Sequence, residues 1–211
     1  MIPKALSDRL IQCRLPDGNF YPEAVLKRQI VFHHTAGGGG KSSIDGWAKD
    51  KMRVGTPFVI ERDGKILQAF PSIYWAFALG LNTPNFRSIE AAAVQIELAS
   101  YGYLKEVNKV YINAYGGLID KKNVYTLPKI WRGFQHFEKY TDAQIESLYM
   151  LTIYLSEKFT ILPKFVGDVF NINQSAIAGR DGIYTHACFR SDKTDIYPDD
   201  RILKLFDAGN S

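Results

Sequence analysis

Cysteine is scarce in this sequence. Among 211 residues only Cys13 and Cys188 carry thiols, enough for one bridge at most. A disulfide-framed scaffold is therefore excluded, and buried free thiols are the expectation. Long apolar runs are missing too. The longest nearly uncharged one, residues 73–81, spans nine positions, against the roughly 20 that a bilayer-crossing helix needs. Residues 1–13 carry Lys4, Asp8 and Arg9 and no apolar core of a secretory signal, so the expected location is a cytoplasm. There is no clustered basic stripe and no nucleic-acid reading motif. The net charge of +4 comes from scattered Lys and Arg, which favours an anionic partner only mildly and argues against nucleic acid. Low-complexity tracts and internal repeats are absent. What is present, 46% apolar, 23% charged and 13% aromatic residues, is the composition of a globular protein able to bury a core.

Local patterns divide the chain into an N-terminal arm, residues 1–28, and a domain over 29–211. Pro3, Pro16, Gly18 and Pro22 break the arm, leaving one short helix near residues 6–11. Residues 29–35 are β-branched and aromatic and stop at Ala36-Gly37, which predicts a buried strand. Ser42-Ser43-Ile44-Asp45 reads as a capping box opening a helix, with Ile44, Trp47, Ala48 and Met52 at helical spacing. Residues 57–62 and 65–70 predict a hairpin turned at Asp63-Gly64. In residues 93–99, Val94, Ile96 and Leu98 alternate with Gln95, Glu97 and Ala99, so Glu97 lies on the face opposite the apolar set. An aromatic-rich insertion at about 101–140 predicts hairpins and loops. Thr141 to Gln144 caps a long helix with the stripe Ile145, Leu148, Leu151, Leu155 and Phe159. Residues 166–170 and 182–188 are strand candidates, and 199–206 a closing helix. The expected fold class is α/β, a single domain with a central mixed sheet of about five or six strands flanked by helices.

Only four histidines are available: His33, His34, His136 and His186. Successive strand residues face opposite ways, so only one of His33 and His34 can enter a given site. The sequence does not say which face is open. His136, between aromatic neighbours, reads as a packed or surface ring. His186 closes a strand, and Asp195 follows nine residues later on a loop. Two imidazoles and a carboxylate leave a fourth tetrahedral position free, the pattern of a catalytic rather than structural zinc site. The bland alternative is a core histidine beside a solvated charged run.

Four segments carry a resemblance. Val31-Phe32-His33-His34-Thr35-Ala36, Val54-Gly55-Thr56-Pro57-Phe58-Val59-Ile60-Glu61-Arg62-Asp63-Gly64, Ile96-Glu97-Leu98, and His186 with Lys193-Thr194-Asp195 occur in that order. Together they resemble the type-2 N-acetylmuramoyl-L-alanine amidases. That family of zinc hydrolases includes phage lysins, muropeptide-recycling enzymes and peptidoglycan recognition proteins. The resemblance implies the fold of that family, Zn2+ as cofactor, and His33, His186 and Asp195 as its ligands. Cys188 is a rival third ligand. His34 becomes a structural neighbour. Lys193 matches the family's catalytic basic position and Glu97 its acidic residue on the neighbouring strand. The substrate implied is peptidoglycan or a muropeptide, cleaved between N-acetylmuramic acid and L-alanine by a monomer without membrane insertion, reaching the wall after release from the cytoplasm, a host's if the source is a phage.

Two departures from the family pattern stand out. Thr56-Pro57 replaces a Tyr-His pair, and the region Phe77-Ala78-Leu79-Gly80 lacks a later His. The aromatic insertion and these departures lean toward a phage or phage-derived lytic enzyme. The alternatives are a cytosolic recycling amidase and a non-catalytic recognition protein. Thr35 to Ser42, with its four glycines and Gly-Lys-Ser ending, imitates a phosphate-binding loop but has Thr35 where glycine is required. The glycines read instead as room for the loop beside His33 to move.

Overall fold

The run of β-branched residues before His33 and the alternation around Glu97 become the two central strands of the molecule. The computed structural model describes residues 2–207. In chain order the elements are α1 (Lys4–Ser7), β1 (Leu10–Gln12), β2 (Gln29–His34), α2 (Gly40–Trp47), β3 (Phe58–Ile60), β4 (Ile66–Gln68), α3 (Phe86–Ala92), β5 (Ala93–Leu98), β6 (Tyr103–Val107), β7 (Val110–Asn113), β8 (Leu118–Ile119), β9 (Val124–Trp131), β10 (Phe134–Glu138), α4 (Asp142–Phe159), α5 (Gln174–Ile177), β11 (Gly182–Thr185) and α6 (Asp200–Phe206). A six-stranded mixed sheet has the order β1-β4-β3-β5-β2-β11. All its pairings are parallel except the β3–β4 hairpin. Every residue of β2 and β5 is buried, as expected of central parallel strands covered on both faces.

One face of this sheet is sealed by α4 and α6. Ile30, Phe32, Val94, Ile96 and Leu98 share a core with Leu148, Leu151 and Leu155 of α4 and Ile202 and Phe206 of α6. Each fully buried side chain of this kind contributes roughly 1.5–3 kcal/mol. Thr141 and Gln144 form a complete capping box at the start of α4, worth about 1 kcal/mol. On the other face, α2 lays Ile44 over Val59 and Leu67 in a second, smaller core. A five-stranded antiparallel sheet, β8-β7-β6-β10-β9, fills the insertion between β5 and α4. Phe137 of β10 stacks on Tyr197, which in turn stacks on Tyr140, with both ring pairs 4.6 Å apart. The result is one α/β domain. No helix among the described residues is long and apolar enough to cross a membrane.

Several local expectations are corrected. The arm does not form a helix over 6–11; it folds as α1 followed by β1, which extends the sheet in parallel beside β4. Helix α2 starts at Gly40 without a side-chain cap. The hydroxyls of Ser42 and Ser43 donate back to the Gly39 carbonyl, and Asp45 pairs with Lys41, so the capping box never closes. Residues 166–170 are not a strand; next to them Phe165 makes one isolated bridge to Ile183. Strand β11 ends at Thr185, and His186–Cys188 is one 3-10 turn. The hairpin at Asp63-Gly64 does form, with Gly64 at a φ of 82° and the Ala143 carbonyl 2.9 Å from where a Cβ would sit.

Candidate metal centre

Register builds the site. His33 of β2 lies directly across from Glu97 of β5, and Glu97 from Val59 of β3. On the other side of β2, Thr185 of β11 pairs with Phe32, so the turn at His186 begins beside His33. These positions are at the C-terminal ends of parallel strands, where open α/β sheets place their binding crevices. Alternation sends Phe32 into the helix-covered core and His33 to the opposite face.

His33, His186 and Asp195 converge, each under 10% exposed. His33 Nδ1 is 3.0 Å from His186 Nδ1, His186 Nδ1 is 2.9 Å from Asp195 Oδ2, and His33 Nδ1 is 3.3 Å from the same oxygen. Hydrogen bonding fixes where the protons go. His186 Nε2 is 2.9 Å from the Leu79 carbonyl. Only an N–H can satisfy that acceptor, which leaves the His186 Nδ1 with a lone pair. Burial, reinforced by the neighbouring His186, pushes the His33 pKa down to about 4 and keeps its ring neutral at pH 7. Burial also pushes the Asp195 carboxyl upward, but His186 and His33 outweigh it and hold the group well below the usual carboxylate range. Two imidazole nitrogens and an anionic oxygen at these distances require positive charge among them, a proton or a metal ion.

The residues therefore fit a divalent metal. In a tetrahedral zinc site with bonds of about 2.0–2.1 Å, ligand atoms lie about 3.3 Å apart, and the three donor atoms here are spaced on that scale. Such an ion supplies Lewis acidity, which polarises a carbonyl oxygen and acidifies water at neutral pH.

The other residues singled out by the sequence fall around this group. Glu97 is buried beside His33, with Oε2 free of hydrogen bonds. Burial, aided by Asp195 and opposed by Lys193, raises its pKa well above the ordinary value. Lys193 is half-buried in the loop between His186 and Asp195. His34 points the other way and hydrogen-bonds Tyr140 Oη at 2.9 Å. Its ring comes so close to Gly102 that a Cβ there would lie 2.5 Å from Nε2. Cys188 is turned away from the group: its thiol donates to the Val169 carbonyl, and burial pushes its pKa up to about 12. His136 sits in the second sheet beside Thr126 and Glu106.

The glycine-rich loop is neither a phosphate cradle nor loose. The Lys41 backbone N–H is taken by the Glu61 carboxylate at 2.9 Å, and the Lys41 ammonium by Asp45. A Cβ on Gly40 would meet Val59 Cγ1 at 2.7 Å, so close packing accounts for that glycine. The larger surface cavities, of about 410–660 Å3, lie away from the triad. Chemistry rather than concavity locates the site.

Sequence reasoning missed the supports. Arg132, in the turn between β9 and β10, donates to the carbonyls of Phe170, Ala187, Arg190 and Lys193 at 2.5–3.2 Å. It thereby ties down the loop that carries Lys193 and Asp195. Leu79 acts through its carbonyl, which leaves no trace in side-chain chemistry. Gln95 was legible as a polar residue on the Glu97 face.

Fold and donor set together define an α/β protein with a buried His-His-Asp group that could hold a metal ion. The N-acetylmuramoyl-L-alanine amidase family model matches residues 24–198. The chain belongs to that family and is an enzyme of its amidase class. No curated relative matches by sequence. Among solved structures the chain is similar to PlyL, at 14% identity over 96% of this chain and 99% of that one, with a TM-score of 0.54. It is similar also to an AmpD derivative, at 20% identity, 92% and 93% coverage and a TM-score of 0.50. A third is the endolysin LysCS, an N-acetylmuramoyl-L-alanine amidase from Clostridium intestinale URNW, at 15% identity, 97% and 95% coverage and 0.51.

Proposed function

We propose that this protein is a zinc-dependent peptidoglycan amidase that cleaves the bond between N-acetylmuramic acid and the L-alanine of the stem peptide, acting as a monomeric lytic enzyme of phage or phage-derived origin. The observation that carries the reading is the meeting of His33, His186 and Asp195 around a space suited to one cation. In this reading those three side chains hold the zinc. Glu97, a buried carboxylate beside His33 whose Oε2 has no hydrogen-bond partner, takes a proton from the attacking water. The water oxygen bonds to the lactyl carbonyl carbon while Lys193 faces the oxyanion that develops there. The C–N bond then breaks, and Glu97 returns the proton to the departing L-alanine amine.

Digestion of purified sacculi with and without chelator, read by mass spectrometry, tests this. Free L-alanine amino termini released only without chelator are the expected result. Cleavage within the glycan or the stem instead would refute it. A recycling amidase would cut soluble muropeptides and leave sacculi intact, and a recognition protein would sediment with sacculi and release nothing.

A further inference from the structure

Behind the metal centre lies a second buried carboxylate, Glu90, on α3. It has no exposed surface, and its four hydrogen-bond donors are all uncharged. The backbone N–H groups of Ala78, Leu79 and Gly80 donate to it at 3.0, 2.9 and 3.1 Å, and Gln95 Nε2 donates at 2.9 Å. Two of these donors bear on the triad. The peptide segment pinned at Leu79 presents its carbonyl to His186 Nε2 at 2.9 Å. The Gln95 carboxamide gives its amino group to Glu90 and stands on the face of β5 that carries Glu97, the register partner of His33. Gln95 Oε1 and His33 Nε2 are both buried, and neither has a hydrogen-bond partner. Buried polar groups of this kind are almost always paired.

We propose that Glu90 is a positioning residue for both histidines: through Leu79 and through Gln95 it offers an acceptor to the far nitrogen of each ring, so that both keep the Nε2–H tautomer and turn a bare Nδ1 to the metal. One carboxylate thus sets the orientation and basicity of two ligands. The inference rests on the proposed metal site, but the tautomers can be read without metal.

The test uses the intact, 15N-labelled protein. In metal-free wild type, ring 15N signals of His33 and His186 show a protonated Nε2, and zinc binds tightly in competition with a chromophoric chelator. Glu90→Gln cannot accept four N–H donors, and at least one ring is expected to lose its single tautomer, with zinc affinity falling about 10- to 100-fold. Glu90→Asp restores part of both. A merely structural role would lower the melting temperature and leave the ring signals unchanged. In a folded Glu90→Gln protein, either unchanged ring signals or unchanged zinc affinity overturns the proposal. Should Glu90→Gln not fold, Gln95→Met decides: the His33 signals alone must change, and unaltered His33 signals overturn the relay. Wild type that binds no zinc would end the zinc reading itself, while the ring signals would still report the relay.

Discussion

The two sheets of this protein solve different problems. In the six-stranded sheet, β2 and β5 are buried along their whole length, and three of their buried polar side chains, His33, Gln95 and Glu97, lie on the face of the candidate site. The inserted five-stranded sheet is half open: β7 and β9 are largely exposed, and only Leu104, Leu127, Phe137 and Glu138 on its strands are fully covered, apart from Asn113 at one end. The first sheet creates the site by register. The second contributes through contacts at its rim, chiefly the Arg132 turn that clamps the ligand loop and the Phe137–Tyr197–Tyr140 stack. The candidate site is concentrated at the parallel strands of the mixed sheet, while the insertion braces the one segment of that site that is not part of a strand.

The strongest way to break this division is at the metal centre itself. His186→Ala leaves Asp195 and His33 without their shared partner and should abolish metal binding, lowering activity by about 10³-fold or more. Glu97→Gln should keep the metal and lose roughly 10² to 10⁴ in kcat. Metal content measured beside amide hydrolysis separates the two. A Glu97→Gln protein with parental kcat would remove the base assigned to it.

How far the site was legible depends on whether a residue acts through its side chain. His33, His186, Asp195 and Glu97 could be singled out because histidines are few and four segments in order resemble the family's motifs; alternation alone left His33 and His34 both open. Arg132 and Leu79 could not, because they act on or through backbone carbonyls that any residue supplies. Glu90 follows Ser88-Ile89 in an unremarkable helix, and nothing in its spacing says that a loop twelve residues earlier will wrap it. The fold was legible where patterns are long, as in β2, β5 and α4. It was obscure where an element is only a few residues long, as in β1, or where a side chain bonds elsewhere, as Ser42 and Asp45 do.

The brace can be tested next. Arg132→Ala removes a cation shared by four carbonyls of the loops at 170 and 187–193. Hydrogen bonds to a charged group are worth about 1.5–3 kcal/mol each, but water reaches this half-buried guanidinium, so a total loss of about 2–3 kcal/mol is expected. Faster amide exchange confined to the 187–195 loop, with reduced activity, supports the brace. Uniform destabilisation with the loop unaffected contradicts it.

The opposite end of the large sheet carries another buried ionisable group. Lys27 is almost wholly enclosed, its ammonium facing the carbonyls of Tyr74, Ala91 and Ala93. Burial lowers its pKa to about 7, while the unfolded chain keeps the ordinary value near 10.4. The unfolded state therefore binds more protons between these values, and stability rises with pH there. Between pH 7 and 9 the rise should be on the order of 2 kcal/mol. Denaturant melts of wild type and Lys27→Met should diverge over that window, with the variant flat. Parallel curves would show that the three carbonyls keep the ammonium charged.

The smallest expected effect sharpens the comparison most. Several aromatics of the insertion pack: Tyr103 stacks on Phe134 at 3.8 Å, and Trp131 meets Phe170. Leu118 of β8, by contrast, is 73% exposed at the outer edge of the second sheet. Leu118→Ser should change stability by less than about 0.5 kcal/mol, as surface substitutions do. If the sheet only braces the ligand loop, hydrolysis of sacculi by this variant will match wild type. A raised KM on sacculi with kcat unchanged would mean instead that the outer edge of the insertion holds the polymer, because the loss would then be of binding shared equally by substrate and transition state.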